Sequence, residues 1–319
     1  MANVQSQRLG RYELVEKIGE GSAGIVYRAI DVLEDRTVAV KVLNPAGVSG
    51  PSSLIRFEKE ARLLSRINHP CIAAHLDFNN DRGVSYLVVE YLPGGTLSGH
   101  VTGLSICSEK EIVRLILDAV RGLAAAHEQG IVHRDIKPEN LLLTETGHRL
   151  MTRLKDRSDS SFSITDQTAE LQSDDTTPLL KLSDFGLARF EQQTESLAIT
   201  RDGAILGTPL YMSPEQCRGE VAPPASDVYS LGATLFHLIA GRPPFEGTTN
   251  ISVINQHCHD PAPSLRSCRQ DVSDVLSQIV DRCLSKTPET RYRSAQHLLP
   301  DLEHFLAGRP PSPTCPERR

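Results

Sequence analysis

The sequence has no excess of basic charge: 34 Lys and Arg stand against 40 Asp and Glu, a formal net of -6. A protein held to nucleic acid by phosphate neutralisation needs such an excess, so that class is excluded. Long apolar runs are also missing. The best stretch, 228–240, is interrupted by Ser230, Thr234 and His237 and falls short of the roughly 18 residues of a membrane span. The N-terminal residues lack the basic-then-apolar pattern of a secretory leader. Seven cysteines, an odd number, are scattered without a single C-x-x-C pair. That argues against a disulfide scaffold, and the expectation is a reduced, cytoplasmic setting. What is present is 319 residues, 39% hydrophobic, enough for one large domain or two lobes.

The first ninety residues read as strands with one helix. Residues 12–18, 25–30, 38–43 and 84–91 are short β-branched runs between turn residues. Apolar residues at 54, 57, 61, 64 and 67 mark a helix, stopped by Asn68-His69-Pro70. Pro93-Gly94-Gly95 sets a lobe boundary, giving lobes at 12–91 and 92–307. Beyond it the chain is helical. Ser108-Glu109-Lys110-Glu111 is a capping box ahead of an apolar stripe from Ile112 to Leu123. Further helices are expected over 226–240, 272–284 and 294–306, and the proline-rich 308–319 is expected to be a disordered tail. One segment does not suit a packed domain. Residues 151–178 hold five Ser, five Thr and five Asp among 28, so a mobile polar insertion is expected at about 148–179.

Gly19-Glu20-Gly21-Ser22-Ala23-Gly24-Ile25-Val26 is a G-x-G-x-x-G run between two strands. A dinucleotide-binding turn needs a helix after the last glycine, and Ile25-Val26-Tyr27 is a strand, so that reading fails. A glycine hairpin still lets backbone amides approach phosphate oxygens. Val38-Ala39-Val40-Lys41 ends an apolar strand on a lysine, for which Glu60 on the following helix is the natural partner. His257-Cys258-His259 lacks a second ligand pair at zinc spacing and reads as a solvated loop. Cys217 reads as a plain small residue rather than a reactive thiol.

With His133-Arg134-Asp135-Ile136-Lys137-Pro138-Glu139-Asn140, Asp184-Phe185-Gly186 and Ser213-Pro214-Glu215 in order, nearly the whole chain resembles a eukaryotic-type serine/threonine protein kinase catalytic domain of the bacterial branch. The resemblance implies an α+β, bilobal fold: a small antiparallel sheet with one regulatory helix, then a larger, mainly helical lobe. It implies ATP and Mg2+ as cofactors. Gly19, Gly21 and Gly24 would cover the phosphates, with Lys41, paired to Glu60, on the α- and β-phosphates. Ile18, Val26, Ala39 and Leu142 would contact adenine, Val89 would guard the back of the pocket, and Glu90 to Leu92 would form the hinge. Asp135 would accept the hydroxyl proton, Lys137 would reach the γ-phosphate, and Asn140 and Asp184 would hold magnesium. Lys137 and Thr208 mark serine/threonine specificity within the resemblance.

Glu215 with Arg291 resembles a buried anchor of the activation segment, and Asp227 a brace of the catalytic loop. Arg134 implies control by phosphorylation, with Thr200 the first candidate, Thr194 and Ser196 weaker ones, and Arg189 a second cation for the phosphate. Protein substrates with Ser/Thr acceptors, autophosphorylation through a transient dimer, no nucleic acid and no membrane span in this chain complete the expectation. The alternatives are a pseudokinase acting as a nucleotide-binding scaffold, against which the unreplaced catalytic set speaks, and a small-molecule kinase, against which the Ser-Pro-Glu motif speaks. Relatives of this style often continue into a membrane span and sensor, so the chain is either soluble or part of a longer kinase.

Overall fold

The computed structural model describes residues 8–21, 24–43, 67–104, 107–159, 177–185 and 209–310. The chain divides into two compact units, Met1–Tyr91 with Phe185–Gly207, and Leu92–Asp184 with Thr208–Arg319.

The first unit carries one antiparallel sheet of β1 (Arg8–Leu9), β2 (Tyr12–Gly21), β3 (Gly24–Asp31), β4 (Arg36–Leu43), β5 (His75–Asp81) and β6 (Val84–Glu90), in the order β1-β2-β3-β4-β6-β5. Successive side chains on a strand point to opposite faces, so the register assigns each residue to one side. Tyr12, Leu14, Ala29, Val38, Val40, Tyr86 and Val88 bury together as the core of this unit. The Tyr12 ring meets Tyr86 edge-on at 6.0 Å, and its hydroxyl donates to Asp77 at 2.9 Å. The expected helix over 54–67, with Glu60, lies outside the described residues apart from Ile67.

The second unit is mainly helical: α1 (Val101–Leu104), α2 (Glu109–Glu128), α3 (Glu145–Asp159), α4 (Pro214–Cys217), α5 (Pro224–Ala240), α6 (Asn250–His259), α7 (Leu265–Cys268), α8 (Asp274–Cys283) and α9 (Ala295–Leu306). The capping box of α2 forms as read: the Ser108 hydroxyl accepts from the Glu111 amide, and the Glu111 carboxylate accepts from the Ser108 amide. Helix α5 is buried along nearly its whole length and ends where Gly241 turns left-handed at φ 74°. Gly232 on α5 is a packing residue, because a Cβ there would meet the Cβ of Cys283 on α8 at 2.5 Å. Among the described residues, no helix is long and apolar enough to cross a membrane.

Two short strands, β7 (Leu141–Leu143) and β8 (Leu180–Leu182), pair antiparallel, where the resemblance implies paired strands at 141–143 and 181–183, but the segment between them departs from its reading. Residues 145–159 form α3, and Leu150, Met151 and Leu154 bury along one side of it. Each buried side chain contributes about 1.5–3 kcal/mol, enough to hold a helix that composition alone marks as solvated. Thr144 starts α3 as its N-cap, its hydroxyl accepting from the Gly147 amide at 3.1 Å and donating to the Pro178 carbonyl at 2.7 Å. The other foot is tied down too, since the Leu179 amide donates to Asp118 at 2.7 Å. The expectation of an unpacked insertion starting at 148 is therefore corrected for 148–159. Residues 160–176 lie outside the described residues, as does 311–319 of the tail. The paired strands are also expected to hold their register through Leu142 and Leu182 packing inward, and this is corrected. Leu141 and Leu143 face Leu182 and Leu180 and are fully buried, whereas Leu142 sits on the other face beside Lys181 and is half-buried. Leu142 and Leu182 do not pack inward together.

Candidate active site

The loop 133–140 is fixed by a buried carboxylate. Asp227, near the start of α5 and fully buried, accepts from the amide of His133 at 2.7 Å through one oxygen and from that of Arg134 at 2.7 Å through the other. A third donor is His127, near the end of α2, whose Nε2 lies 3.0 Å from the same carboxylate. Its Nδ1 accepts from the Ala295 amide at 3.1 Å, which puts the ring proton on Nε2 and makes it the donor. His133 is settled by the same logic. Its Nδ1 accepts from the Asp135 amide at 3.3 Å, so Nε2–H donates to the Ser183 carbonyl at 2.8 Å and links the loop to the end of β8.

Asp135 is different: its side chain is 35% exposed. Its Oδ2 receives the Asn140 amide at 2.9 Å and the Lys137 ammonium at 2.8 Å. The second Asn140 N–H goes to the Asp135 carbonyl at 2.7 Å. No hydrogen bond reaches Oδ1 of Asp135 from the described residues, so an acceptor oxygen is held in place and left available. Both amide protons of Asn140 are committed to Asp135, so its Oδ1 is a pure oxygen acceptor. The Ser183 amide donates to the Asn140 carbonyl at 3.0 Å, and the next residue, Asp184, has a left-handed φ of 61°.

In the first unit the register gathers another set. Val26 stands opposite Lys41 and Arg28 opposite Ala39, while Leu87 and Val89 stand opposite Lys41 and Ala39 on the other side. Gly19 is opposite Val26. Gly19, Val26, Ala39, Lys41 and Val89 thus share one face, opposite the core face of Val38, Val40 and Val88. Lys41 is buried, and Ile18, in the β2 bulge, is exposed. Of the three glycines only Gly24 is demanded by sterics: at φ 145° a Cβ would meet the Val42 carbonyl oxygen at 2.0 Å. Gly21 has open space around it. Glu90 pairs twice with Ala74, its amide donating to the Ala74 carbonyl at 2.9 Å and its carboxylate accepting from the Ala74 amide at 3.1 Å. Leu92 opens the second unit. Glu60, Arg189, Thr194, Ser196, Thr200 and Thr208 lie outside the described residues.

The ion pair of Glu215 and Arg291 forms and is bidentate, at 2.7 and 3.0 Å, with both residues 2% exposed. Every guanidinium N–H is used, the remaining three on the carbonyls of Ser285, Ala225 and Lys286. Burial by itself would raise the Glu215 pKa, but Arg291 and the Ser226 hydroxyl, at 2.5 Å, hold it below the ordinary carboxylate value. Burial raises the Cys217 thiol to about 12, helped by the neighbouring Cys258, which leaves it a poor nucleophile. The solvated-loop reading of 257–259 is corrected. These residues are the last turn of α6, and His257 is fully buried, its Nδ1 2.8 Å from the Tyr229 hydroxyl. Burial and nearby Lys286 lower its pKa to about 3. Among the described residues no group of three His, Cys, Asp or Glu side chains could hold a metal. Sequence reasoning missed His127 and Ser226. The tie of His127 to Asp227 bridges a hundred residues, and no local pattern announces it.

The protein kinase domain family matches residues 12–301. The serine/threonine-protein kinase PknB of Mycobacterium tuberculosis is 34% identical over 307 residues, 94% of this chain and 44% of that protein. PrkC of Bacillus subtilis is 32% identical over 294 residues, 92% of this chain and 40% of its own length. The chain thus spans less than half the length of these relatives. Among solved structures, the kinase domain of Mycobacterium tuberculosis PknI superposes with a TM-score of 0.66 at 22% identity, over 95% of this chain and 99% of that one. A Rad53 fragment in complex with AMP-PNP gives 0.64 at 24%, over 91% and 64%. At these identities the structures establish the fold.

Proposed function

This chain belongs to the protein kinase domain family, as a bacterial serine/threonine kinase catalytic domain, and from that premise we propose how its residues transfer the γ-phosphoryl group of ATP to protein hydroxyls. The observation that carries the reading is Asp135. One carboxylate oxygen is locked by Asn140 and Lys137, and the other is an available acceptor on a rigid loop. A serine or threonine hydroxyl placed there is oriented for attack and gives up its proton to that oxygen. Lys137, a third exposed, releases part of its hold on Asp135 to meet the charge of the transferring phosphoryl.

The sheet face of Gly19, Val26, Ala39, Lys41 and Val89 takes the nucleotide, the apolar members against adenine and Lys41 on the α- and β-phosphates. By the family resemblance, Ile18, Glu90, Leu92 and Leu142 are assigned to the adenine and hinge, Gly21 and Gly24 to the phosphates, and Glu60 as the partner of Lys41. Asn140 Oδ1 and the Asp184 carboxylate are hard oxygen donors of the kind magnesium takes, and that ion needs only one or two carboxylates beside phosphate oxygens. When bound it neutralises charge on the β- and γ-phosphates. A pseudokinase role is disfavoured because Lys41, Glu60, Asp135, Asn140 and Asp184 are all intact. Phosphorylation of Thr200, answered by Arg134 and Arg189, is the proposed control, with autophosphorylation through a transient dimer. Dependence on ATP suits a cytoplasmic setting for the domain.

The test is incubation with γ-labelled ATP and a generic Ser/Thr protein acceptor, with and without EDTA, followed by mapping of the labelled residues. Label on serine and threonine that disappears with EDTA supports the reading. Nucleotide binding without any transfer to acceptor or to the chain itself would return the pseudokinase alternative.

A further inference from the structure

The peptide unit just before Asp135 is in an uncommon conformation. Arg134 is not glycine, yet its φ is 69°, a left-handed geometry that persists only when its surroundings over-determine it. The Asp227 contact accounts for the Arg134 amide, leaving the carbonyl side. That carbonyl accepts a 2.7 Å hydrogen bond from Nε2 of Gln216, on the short helix α4 that begins in the Ser-Pro-Glu motif. The other end of the same side-chain amide is also fixed: Gln216 Oε1 accepts from the Ser213 amide at 3.1 Å. One partner demands an oxygen and the other an N–H, so the amide has one possible orientation. α4 is itself anchored through Glu215 to Arg291.

We propose that Gln216 is a positioning residue for the catalytic aspartate: it fixes the plane of the Arg134–Asp135 peptide and thereby ties the Ser-Pro-Glu helix to the direction in which Asp135 presents its available oxygen. The inference rests on the role given to Asp135 above. Its physical content is narrow. Among the described residues the Gln216 side chain donates to the Arg134 carbonyl, and without it the αL conformation loses a bond that opposes rotation of the peptide. Asp135 then samples orientations in which Asn140 and Lys137 no longer hold Oδ2. Substrate binding is untouched, because Gln216 acts through backbone, so the effect belongs to kcat.

Two substitutions separate this role from ordinary capping. Gln216→Glu keeps an oxygen for the Ser213 amide, so the capping box survives, but sets a carboxylate oxygen against the Arg134 carbonyl. Ser213→Ala removes the hydroxyl that receives the Gln216 amide and leaves the bond to Arg134 in place. The expected result is a fall in kcat of about 10-fold for Gln216→Glu, with KM for ATP as in the wild type. Ser213→Ala should show the reverse, a lower melting temperature with unchanged kcat. Gln216→Met, which drops both side-chain bonds without adding charge, should lose kcat as Gln216→Glu does, and serves if the glutamate variant does not fold. A kcat within about twofold of wild type for both Gln216 variants, while Asp135→Asn is inactive, overturns the inference. Equal proportional losses in Gln216→Glu and Ser213→Ala overturn it as well, since they mark a purely structural helix cap. If Asp135→Asn retains full activity, the reading of Asp135 fails instead, and the two failures are distinguishable.

Discussion

Two ion pairs lie in the same unit and do opposite things. Glu215 and Arg291 are buried, bidentate and saturated: all five guanidinium protons have acceptors, and Ser226 adds a donor to the carboxylate. Asp135 and Lys137 are each about a third exposed and joined by a single 2.8 Å contact. A saturated buried pair has no capacity to meet a substrate; it holds one arrangement. A half-exposed pair is worth little to stability but can exchange partners when a phosphate arrives. On the proposed reading one pair serves rigidity and the other chemistry, and each can be tested for the property it should lack.

The largest effect is expected from breaking the buried pair. Arg291→Met leaves an uncompensated carboxylate and should destabilise the domain by about 3–5 kcal/mol, measured by chemical denaturation. A loss below about 1 kcal/mol would show that Glu215 finds another partner, and the rigid half of the comparison would fail. Next comes Lys137→Ala, expected to lower kcat by about 10²–10³-fold with an unchanged melting temperature. A large drop in stability with little change in kcat would make that pair architectural too. Smaller again is Ser226→Ala, which removes a 2.5 Å bond to a buried carboxylate. It should cost about 1.5–3 kcal/mol and leave kcat at the wild-type value.

The last test is a pH dependence near the anchor. The His257 pKa falls from its ordinary 6.5 to about 3 on folding, through burial first and Lys286 second. The unfolded chain therefore binds the proton more readily, and stability from this group is lost as pH drops below 6.5 toward 3. The slope reaches at most about 1.4 kcal/mol per pH unit. Denaturation curves at stepped pH should show it, and His257→Phe should flatten it. An unchanged slope in that variant would assign the acid sensitivity to other groups.

The elements that were legible in the sequence are those whose cause is local. The Ser108 box and the β-branched strands each signal within a few residues, and the structure places them where they were read. The motif carriers Asp135, Asn140 and Lys41 were legible because their spacing matches a known family. What could not be read depends on contacts distant in the chain. Composition made 148–159 look solvated, yet Thr144 caps a helix there and Leu150, Met151 and Leu154 find a surface to cover. The 257–259 run looked like a loop because two histidines and a cysteine are polar on paper, while Tyr229 and Phe245 enclose His257. In the β7–β8 ladder a one-residue difference in facing decides between the core and the outer face, and only the register reveals that Leu142 is on the outer one.

The most direct test of the division between holding and reacting is a single preparation of Asp135→Asn measured three ways beside the wild type. Single-turnover transfer from γ-labelled ATP should fall about 10²–10⁴-fold, while ATP affinity and melting temperature stay at the wild-type values, because only the acceptor for the hydroxyl proton is lost. Transfer at the wild-type rate, or a loss of transfer matched by a loss of nucleotide binding and stability, would contradict the account.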